Sequence, residues 1–187
     1  MPKVWRIVDL IQWSDSYFRE KSHQNPRLEI EWMLCSLLNC ERLDLYMRFD
    51  EPLSGSQLST LRGWVKRRSK NEPLQYITQS CEFYGIEFFV DKRVLIPRPE
   101  TERLIDEAIK SIKHVRSPNI FDIGTGSGCI AIALAKEIEN SNVLGIDKSI
   151  MSLQVAKINS AELNVENVTF LEMDILNQYP KEKFDLV

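Results

Sequence analysis

The segment at 122–128, which reads Asp-Ile-Gly-Thr-Gly-Ser-Gly, constrains this chain more than any other feature of its sequence. It follows a short apolar stretch that predicts a strand at 119–123, and it precedes a predicted helix at 129–138. Three glycines alternating with small residues let the backbone turn tightly and let a ligand approach without side chains in the way. Free N–H groups at the start of the helix favour a negatively charged group. The segment therefore predicts a ligand-binding turn between a strand and a helix.

The alternation of strand and helix continues along the rest of the chain. A second strand is predicted at 143–146, a second helix at 150–163 and a third strand at 168–171. A fourth strand begins at 184–187. Alternation of this kind predicts an α/β fold, a parallel sheet with helices on both faces, in which a ligand lies at the carboxyl ends of the strands.

Acidic residues follow two of these strands. Asp147 ends the second strand, 23 positions after Gly124, where its carboxylate can accept hydrogen bonds from both hydroxyls of a ribose. Asp174 follows the third strand; alone it is typical of a surface cap, but beside the glycines and Asp147 a contact with an adenine amino group is favoured. A dinucleotide fingerprint would need a small residue where this chain has Cys129. The pattern therefore favours a nucleoside ligand other than a nicotinamide dinucleotide.

The chain before this region has a different pattern. Apolar residues at helical spacing predict a small helical bundle over about the first seventy residues, with helix starts at Asn25 and Ser54. An aromatic, β-rich stretch at 82–90, with Gly85 at its turn, predicts a hairpin that continues to 94–96. The chain is accordingly divided into a helical domain at 1–72, a hairpin linker at 73–99 and an α/β domain at 100–187.

The composition excludes several classes of protein. The formal net charge of −3 argues against a globally basic nucleic-acid binder. The four cysteines include no C-x-x-C pair, and only two histidines could complete a cluster, so no metal site is expected. The uncharged run at 123–135 holds 13 residues, too few to span a bilayer, and no signal peptide is visible. We expect a cytoplasmic protein with free thiols, no membrane contact and no direct contact with nucleic acid.

The glycine-rich segment and its acidic partners resemble the class I S-adenosylmethionine-dependent methyltransferases. Three upstream stretches are more specific, because they resemble the HemK/PrmC family: Glu-Pro-Leu-Gln-Tyr-Ile-Thr at 72–78, Glu-Phe at 82–83 and Val-Leu-Ile-Pro-Arg-Pro-Glu-Thr-Glu at 94–102. The helical part, including Arg-Leu-Asp-Leu-Tyr at 42–46, resembles the bundle with which that family docks release factors. Members of the family methylate the glutamine side chain of peptide chain release factors. The resemblance covers essentially the whole chain.

This resemblance implies a fold, a cofactor and a partner. The fold would be a substrate-recognition bundle followed by the first half of a Rossmann-like methyltransferase domain, whose parallel sheet is incomplete in this chain. The cofactor would be S-adenosylmethionine, and the partner a peptide chain release factor. The residues implied to bind the cofactor are Gly124, Thr125, Gly126, Ser127 and Gly128 at its methionine end, Asp147 at its ribose, and Asp174 and Ile175 beside its adenine.

The loop at 98–102 would fold over the cofactor side and join the two domains. The alternative for Arg98 is a structural ion pair with Glu100 or Glu102.

The chain departs from the family pattern at two places. The family usually has a glycine where this chain has Gln79, which puts the shape of that turn in question. The family's catalytic Asn-Pro-Pro-Tyr motif is expected just after Val187, so no catalytic residue is assigned within 1–187. In the family, the Asn side chain and a Pro carbonyl orient the weakly nucleophilic glutamine amide, and no residue of 1–187 replaces them. Residues 1–187 alone are therefore expected to be inactive.

Other functions remain open from the residues alone. One is a methyltransferase that acts on amino groups of nucleic-acid bases, which the acidic balance disfavours. Another is a non-catalytic fragment that binds release factor through its helices. A nicotinamide-dependent oxidoreductase is disfavoured by Cys129. A basic run at 62–70 is either a solvated helix face or a docking surface for an acidic partner or RNA.

Overall fold

Five helices form the first part of the chain in the computed structural model, which describes residues 4–21 and 23–187. They are α1 (Ile7–Arg19), α2 (Pro26–Leu38), α3 (Arg42–Met47), α4 (Gly55–Arg68) and α5 (Leu74–Thr78). Residues 1–78 make one compact unit, and residues 79–187 make a second. The predicted domains at 1–72, 73–99 and 100–187 divide the chain by function and not into compact units, and they stay a prediction.

The helical unit forms because each long helix buries an apolar face. Phe18 of α1 and Ile30 of α2 are completely buried in one cluster with Leu61 of α4. Both predicted helix starts are confirmed. Asn25 precedes α2 without a capping bond from its side chain, whereas the Ser54 hydroxyl accepts a hydrogen bond from the N–H of Gln57 at 3.3 Å.

Part of the basic run at 62–70 points inward. Arg68 donates two hydrogen bonds to the carboxylate of Glu29, at 2.7 and 2.8 Å, and His23 Nδ1 lies 2.9 Å from the same group. Arg67 pairs with Glu72 and donates to the carbonyl oxygen of Tyr76, which satisfies part of α5. Two of the five basic side chains are therefore structural, and the exposed ones are Arg62, Lys66 and Lys70.

The second unit begins with the predicted hairpin. Strands β1 (Ser80–Phe83) and β2 (Ile86–Phe89) pair in antiparallel register, with Phe83 opposite Ile86. Tyr84 and Gly85 form the two-residue turn with φ of 53° and 68°, as a type I′ turn requires.

The predicted continuation of the hairpin to 94–96 is wrong, because these residues lie in no strand. The Asp91 carboxylate accepts hydrogen bonds from the backbone and guanidinium of Arg93, which closes a turn instead. At the end of β2, the N–H and carbonyl of Phe89 bond to the side chain of Asn159 rather than to a further strand. The β-rich composition of 94–96 therefore serves burial: Val94 and Ile96 are buried.

A parallel sheet of three strands follows, as predicted. Its order is β3 (Asn119–Ile123), β4 (Asn142–Asp147) and β5 (Val168–Glu172). A 3-10 turn at Pro99–Thr101 leads into α6 (Glu102–Ile112), and the strands are joined by α7 (Cys129–Glu137) and α8 (Ile150–Glu162). Helix α7 packs on β3 and β4, while α8 packs on β4 and β5. The predicted α/β architecture with an N-terminal helical bundle is confirmed.

The predicted fourth strand is present as one bridge. Leu186 pairs in parallel with Ile120 of β3, and the N–H of Phe121 donates to the Leu186 carbonyl at 2.9 Å. The segment at 184–187 thus lies beside β3, while β4 and β5 follow on the other side of that strand. This is the order of a doubly wound sheet, in which connections diverge next to the first strand and leave a crevice at its carboxyl end.

Candidate functional site

The glycine-rich segment wraps over the carboxyl end of β4. Its glycines at 124, 126 and 128 all have positive φ, at 78°, 56° and 80°. The N–H groups of Gly124 and Thr125 both donate to the carbonyl of Ile146, at 2.8 and 2.9 Å. A Cβ on Gly128 would come within 3.1 Å of Ala156, Ile132 and Phe170, so this glycine is also required for packing. The loop is therefore held to the sheet by its own backbone, and its outer face carries no side chain at its three glycines.

Asp147, the predicted ribose ligand, lies against this loop. Its Oδ2 accepts a hydrogen bond from the N–H of Gly126 at 3.1 Å, and its Oδ1 accepts one from the N–H of Ser149 at 2.9 Å. The side chain is half-buried at the end of β4. Each carboxylate oxygen keeps a further lone pair, so the group can accept from two neighbouring hydroxyls of a ligand.

Asp174 lies beyond the same sheet edge but is already engaged. In the parallel register Asp147 stands opposite Glu172, and Asp174 follows two residues later. Its Oδ1 accepts from the N–H of Leu176 at 3.1 Å, and its Oδ2 accepts from the side-chain amide of Asn177 at 2.8 Å. Asp174 therefore caps a local turn, and Ile175 lies half-buried within that turn.

Asp122 is a site residue to which the sequence analysis gave no role. It sits in β3 directly before the glycines, and its Oδ2 is buried without a hydrogen-bond partner in the described part of the chain. The same is true of the hydroxyl of Thr125. Burial raises the pKa of the Asp122 carboxyl, and the nearby negative charge of Asp147 adds to the effect. The signal in the sequence was an acidic residue inside an otherwise apolar strand.

Asn159 is a second residue that the sequence analysis missed. It is buried on α8, and its side-chain amide donates to the carbonyl of Ser127 at 2.8 Å and to that of Phe89 at 3.0 Å. It therefore ties the glycine-rich segment to the end of the hairpin. From sequence alone it looks like any polar residue on an amphipathic helix.

Two other predicted features lie near this region of the sequence. Arg98 is exposed and forms no ion pair with Glu100 or Glu102 in the structure as described, while Glu102 accepts a hydrogen bond from the N–H of Tyr84. Cys129 is the first residue of α7, and a helix N-terminus favours a thiolate. Burial has the larger effect and raises the pKa of the Cys129 thiol to about 11. The thiol is therefore inert at neutral pH.

The described residues hold neither a membrane-spanning helix nor a metal-binding cluster. None of the helices within 4–21 and 23–187 is long and apolar enough to cross a membrane. Across the same ranges, no group of three or more His, Cys, Asp and Glu residues is placed to hold a metal ion.

The site's chemistry follows from this geometry. Two acidic groups and an open glycine loop meet at the carboxyl ends of β3 and β4. A carboxylate with one buried, unpartnered oxygen suits a cationic group on a ligand, and the half-buried carboxylate of Asp147 beside it suits vicinal hydroxyls. The arrangement fits a nucleoside that carries a positive charge.

Comparison with known proteins covers most of the chain. The family profile described as PrmC N-terminal domain matches residues 9–78, and one described as methyltransferase domain matches residues 114–187. A release factor glutamine methyltransferase of Geobacter sulfurreducens is 41% identical over 186 residues, which is 100% of this chain and 64% of that protein. One of Chlorobaculum tepidum is 40% identical over 94% of this chain and 62% of that protein.

A solved structure gives a weaker match. A methyltransferase of Geobacter sulfurreducens in complex with S-adenosylhomocysteine aligns with 46% of this chain and 34% of its own, at 25% identity and a TM-score of 0.39. The sequence relatives are far more extensive. This chain spans about 64% of their length, and the matches run through the helical unit and the glycine-rich segment alike. By its sequence, the chain belongs to the HemK/PrmC family.

Proposed function

We propose that this chain provides the cofactor site and the docking domain of an enzyme that transfers a methyl group from S-adenosylmethionine to a glutamine side chain in a peptide chain release factor. The observation that carries the proposal is the 41% identity with a protein named release factor glutamine methyltransferase across the whole of this chain. The site supports it, because its charges suit a cationic nucleoside.

The residues present fit this cofactor. The unpartnered oxygens of Asp122 and Thr125 offer partners for the ammonium at its methionine end, beside the loop from Gly124 to Gly128. Asp147 would accept hydrogen bonds from the ribose hydroxyls with the lone pairs that Gly126 and Ser149 leave. The turn at Asp174 and Ile175 would border the adenine. When bound, the cofactor supplies a methyl group on a positively charged sulfur, which keeps the bonding electrons when the glutamine nitrogen takes the methyl group and releases a proton to water.

The chain's own residues bind and orient rather than activate the substrate. An amide nitrogen is a weak nucleophile, so its orientation by hydrogen-bond acceptors supplies much of the catalysis. The family motif that does this is absent from residues 1–187. The proposed division of labour is substrate recognition by 1–72, a hairpin linker at 73–99 and cofactor binding by 100–187.

Calorimetry of the chain with S-adenosylhomocysteine tests the cofactor site. We expect binding, and we expect Asp147→Ala to weaken it by about 10- to 100-fold, because two hydrogen bonds to a charged group are lost. Glu172→Gln is the matched control, since this exposed residue stands opposite Asp147 in the next strand. NAD should not bind. A folded chain that binds NAD and not S-adenosylhomocysteine would refute the assignment.

A methyl-transfer assay tests the substrate. Residues 1–187 with release factor and radiolabelled S-adenosylmethionine should give no labelled release factor. A chimera that adds the C-terminal third of the Geobacter sulfurreducens relative should label a single glutamine, and Asp147→Ala in the chimera should abolish the label. Label in RNA or DNA rather than in release factor would favour the nucleic-acid methyltransferase instead.

A further inference from the structure

A cleft in the helical unit is lined by residues of that unit. Its volume is about 580 Å³, and it is bordered by α1 and by the first turns of α2 and α3. Three arginines, three amide side chains and three apolar residues line it: Arg19, Arg27, Arg42, Gln12, Gln24, Asn25, Ile11, Pro26 and Leu28. No acidic residue is among these described lining residues, so the cleft carries positive charge.

A buried glutamate holds two of these arginines in place. The side chain of Glu31 is only 1% exposed. Its Oε1 accepts hydrogen bonds from Arg27 Nε at 2.9 Å and from the Tyr46 hydroxyl at 2.6 Å, and its Oε2 accepts one from Arg42 Nε at 2.7 Å. Both guanidinium groups are thus fixed through Nε, Arg27 also donates to the Tyr46 hydroxyl at 2.9 Å, and Arg42 lies within reach of the same hydroxyl. Each guanidinium has five N–H donors, so N–H groups of both arginines remain for a ligand.

The charges around Glu31 do not cancel. Tyr46, Arg27 and Arg42 together outweigh burial and lower the pKa of Glu31, so this carboxylate stays ionised near neutral pH. One negative charge then faces two positive ones. The side chains of Arg27 and Arg42 are 55% and 60% exposed, so the excess charge is presented to the cleft rather than buried.

The start of α2 adds to this field. Asn25 precedes the helix without a capping bond from its side chain, and Pro26 has no N–H. The first turn of a helix carries a partial positive charge, and here it lies in the wall of the arginine-lined cleft. Planar guanidinium groups held beside such a turn match the geometry of a carboxylate.

The lining distinguishes an acidic peptide from RNA. Single-stranded nucleic acid is bound by basic side chains that follow the backbone and by aromatic rings on which bases stack. The described lining residues include no aromatic side chain and no lysine; they combine arginines with amides and with apolar Ile11 and Leu28. Amides pair with a peptide backbone and apolar groups with side chains, so the surface suits a polypeptide.

We infer that this cleft binds a carboxylate side chain in an acidic segment of the protein substrate, with Arg27 and Arg42 as its direct contacts. This inference rests on the proposed function for the identity of the partner, but not for the chemistry of the cleft. Residues 1–78 hold 12 Lys and Arg against 10 Asp and Glu, whereas residues 79–187 hold 12 against 17, so an acidic partner is attracted to the helical unit.

The test is an NMR titration of the full 187-residue chain with a capped hexaglutamate peptide. We expect saturable amide shifts at residues 25, 27, 28 and 42 and no such shifts with hexaglutamine. Arg42→Lys keeps a positive charge beside Glu31 but removes the planar guanidinium group, so it should weaken hexaglutamate binding at least fivefold. Arg48→Lys is the control, because Arg48 pairs with exposed Glu51 away from the cleft; it should change binding less than twofold.

Each other outcome overturns the inference. If Arg42→Lys and Arg48→Lys lost equal affinity for hexaglutamate, the attraction would be a diffuse effect of charge. If hexaglutamine bound equally well, the cleft would not recognise a carboxylate. Tighter binding of oligouridine at the same residues would assign the cleft to RNA. S-Adenosylhomocysteine binding, measured on the same samples, reports the cofactor site independently, so failure of the cleft leaves the proposed function standing.

Discussion

Each unit of the chain has acidic side chains with buried oxygens, but the hydrogen-bond partners of these oxygens differ between the two units. In the helical unit, Glu29 and Glu31 are 8% and 1% exposed, and each receives hydrogen bonds from arginine. In the α/β unit, Asp122 is half-buried, and its buried Oδ2 has no hydrogen-bond partner among the described residues. The pKa is lowered at both glutamates and raised at Asp122.

This difference separates structural charge from functional charge. A buried carboxylate that is saturated by guanidinium groups adds to specificity of packing, and breaking it is costly. A buried carboxylate without a partner destabilises the fold, and it persists where a ligand supplies the missing partner. In the helical unit, the carboxylates of Glu29 and Glu31 have hydrogen-bond partners. In the α/β unit, one carboxylate oxygen beside the glycine loop has none among the described residues.

The largest expected change in stability comes from breaking the buried ion pair between Arg68 and Glu29. Arg68→Ala removes both hydrogen bonds to Glu29 and should cost about 3 kcal/mol in the free energy of unfolding, because the carboxylate stays largely buried. All four tryptophans lie in residues 1–78, so urea unfolding followed by tryptophan fluorescence reports this unit. The pKa of Glu29 is lowered when folded, so the difference is full above its ordinary value of 4.5 and shrinks as the pH falls through the lowered pKa.

The control for this variant is Arg48→Ala. It breaks a pair with Glu51 whose two side chains are 39% and 46% exposed and whose charges are screened by water, so the expected loss of stability is much smaller. Equal losses of unfolding free energy in the two variants would contradict a structural role for the pair of Arg68 and Glu29.

A smaller change in stability, of opposite sign, is expected at Asp122, whose Oδ2 has no partner among the described residues. Asp122→Asn should stabilise the α/β unit by about 1–2 kcal/mol at neutral pH, because it removes a charge from a carboxylate whose Oδ2 is buried without a partner. The folded pKa of Asp122 is raised from 3.8, so the advantage of the variant is absent below that pH and grows until the pH passes the raised value. Hydrogen exchange of the amides in β3, β4 and β5 measures it.

The same substitution should weaken binding of S-adenosylhomocysteine by about tenfold, since a charged acceptor for a cationic ligand group is lost. Asp106→Asn, at an exposed residue that accepts a hydrogen bond from Tyr84, is the control for both measurements. If Asp122→Asn lowered stability and left binding unchanged, Asp122 would be a structural residue like Glu29.

The sequence predicted the parts of the molecule whose partners are close along the chain. Strands β3 to β5 and the glycine loop are apolar runs and a local turn, so their pattern suffices, and Asp147 followed from its place at a strand end. The role of Asn159 was missed because its partners, Phe89 and Ser127, lie 70 and 32 residues away. The stretch at 94–96 was assigned to the hairpin because burial and strand pairing leave the same apolar pattern.

The smallest expected effect concerns the backbone rather than a charge. In the glycine loop, positive φ falls on residues without a side chain, whereas at the end of α5 it falls on Gln79, with φ of 59°. Gln79 is exposed, so its side chain gains little from packing in return. A non-glycine residue pays roughly 1–2 kcal/mol in this conformation, and glycine avoids this at a cost of about 0.5–1 kcal/mol in chain entropy. Gln79→Gly should therefore stabilise the chain by about 0.5–1 kcal/mol in urea unfolding, whereas Gln75→Gly, inside α5, should destabilise it by about 1 kcal/mol. A loss of stability in Gln79→Gly would mean that the glutamine side chain, and not the turn it occupies, is what this position needs.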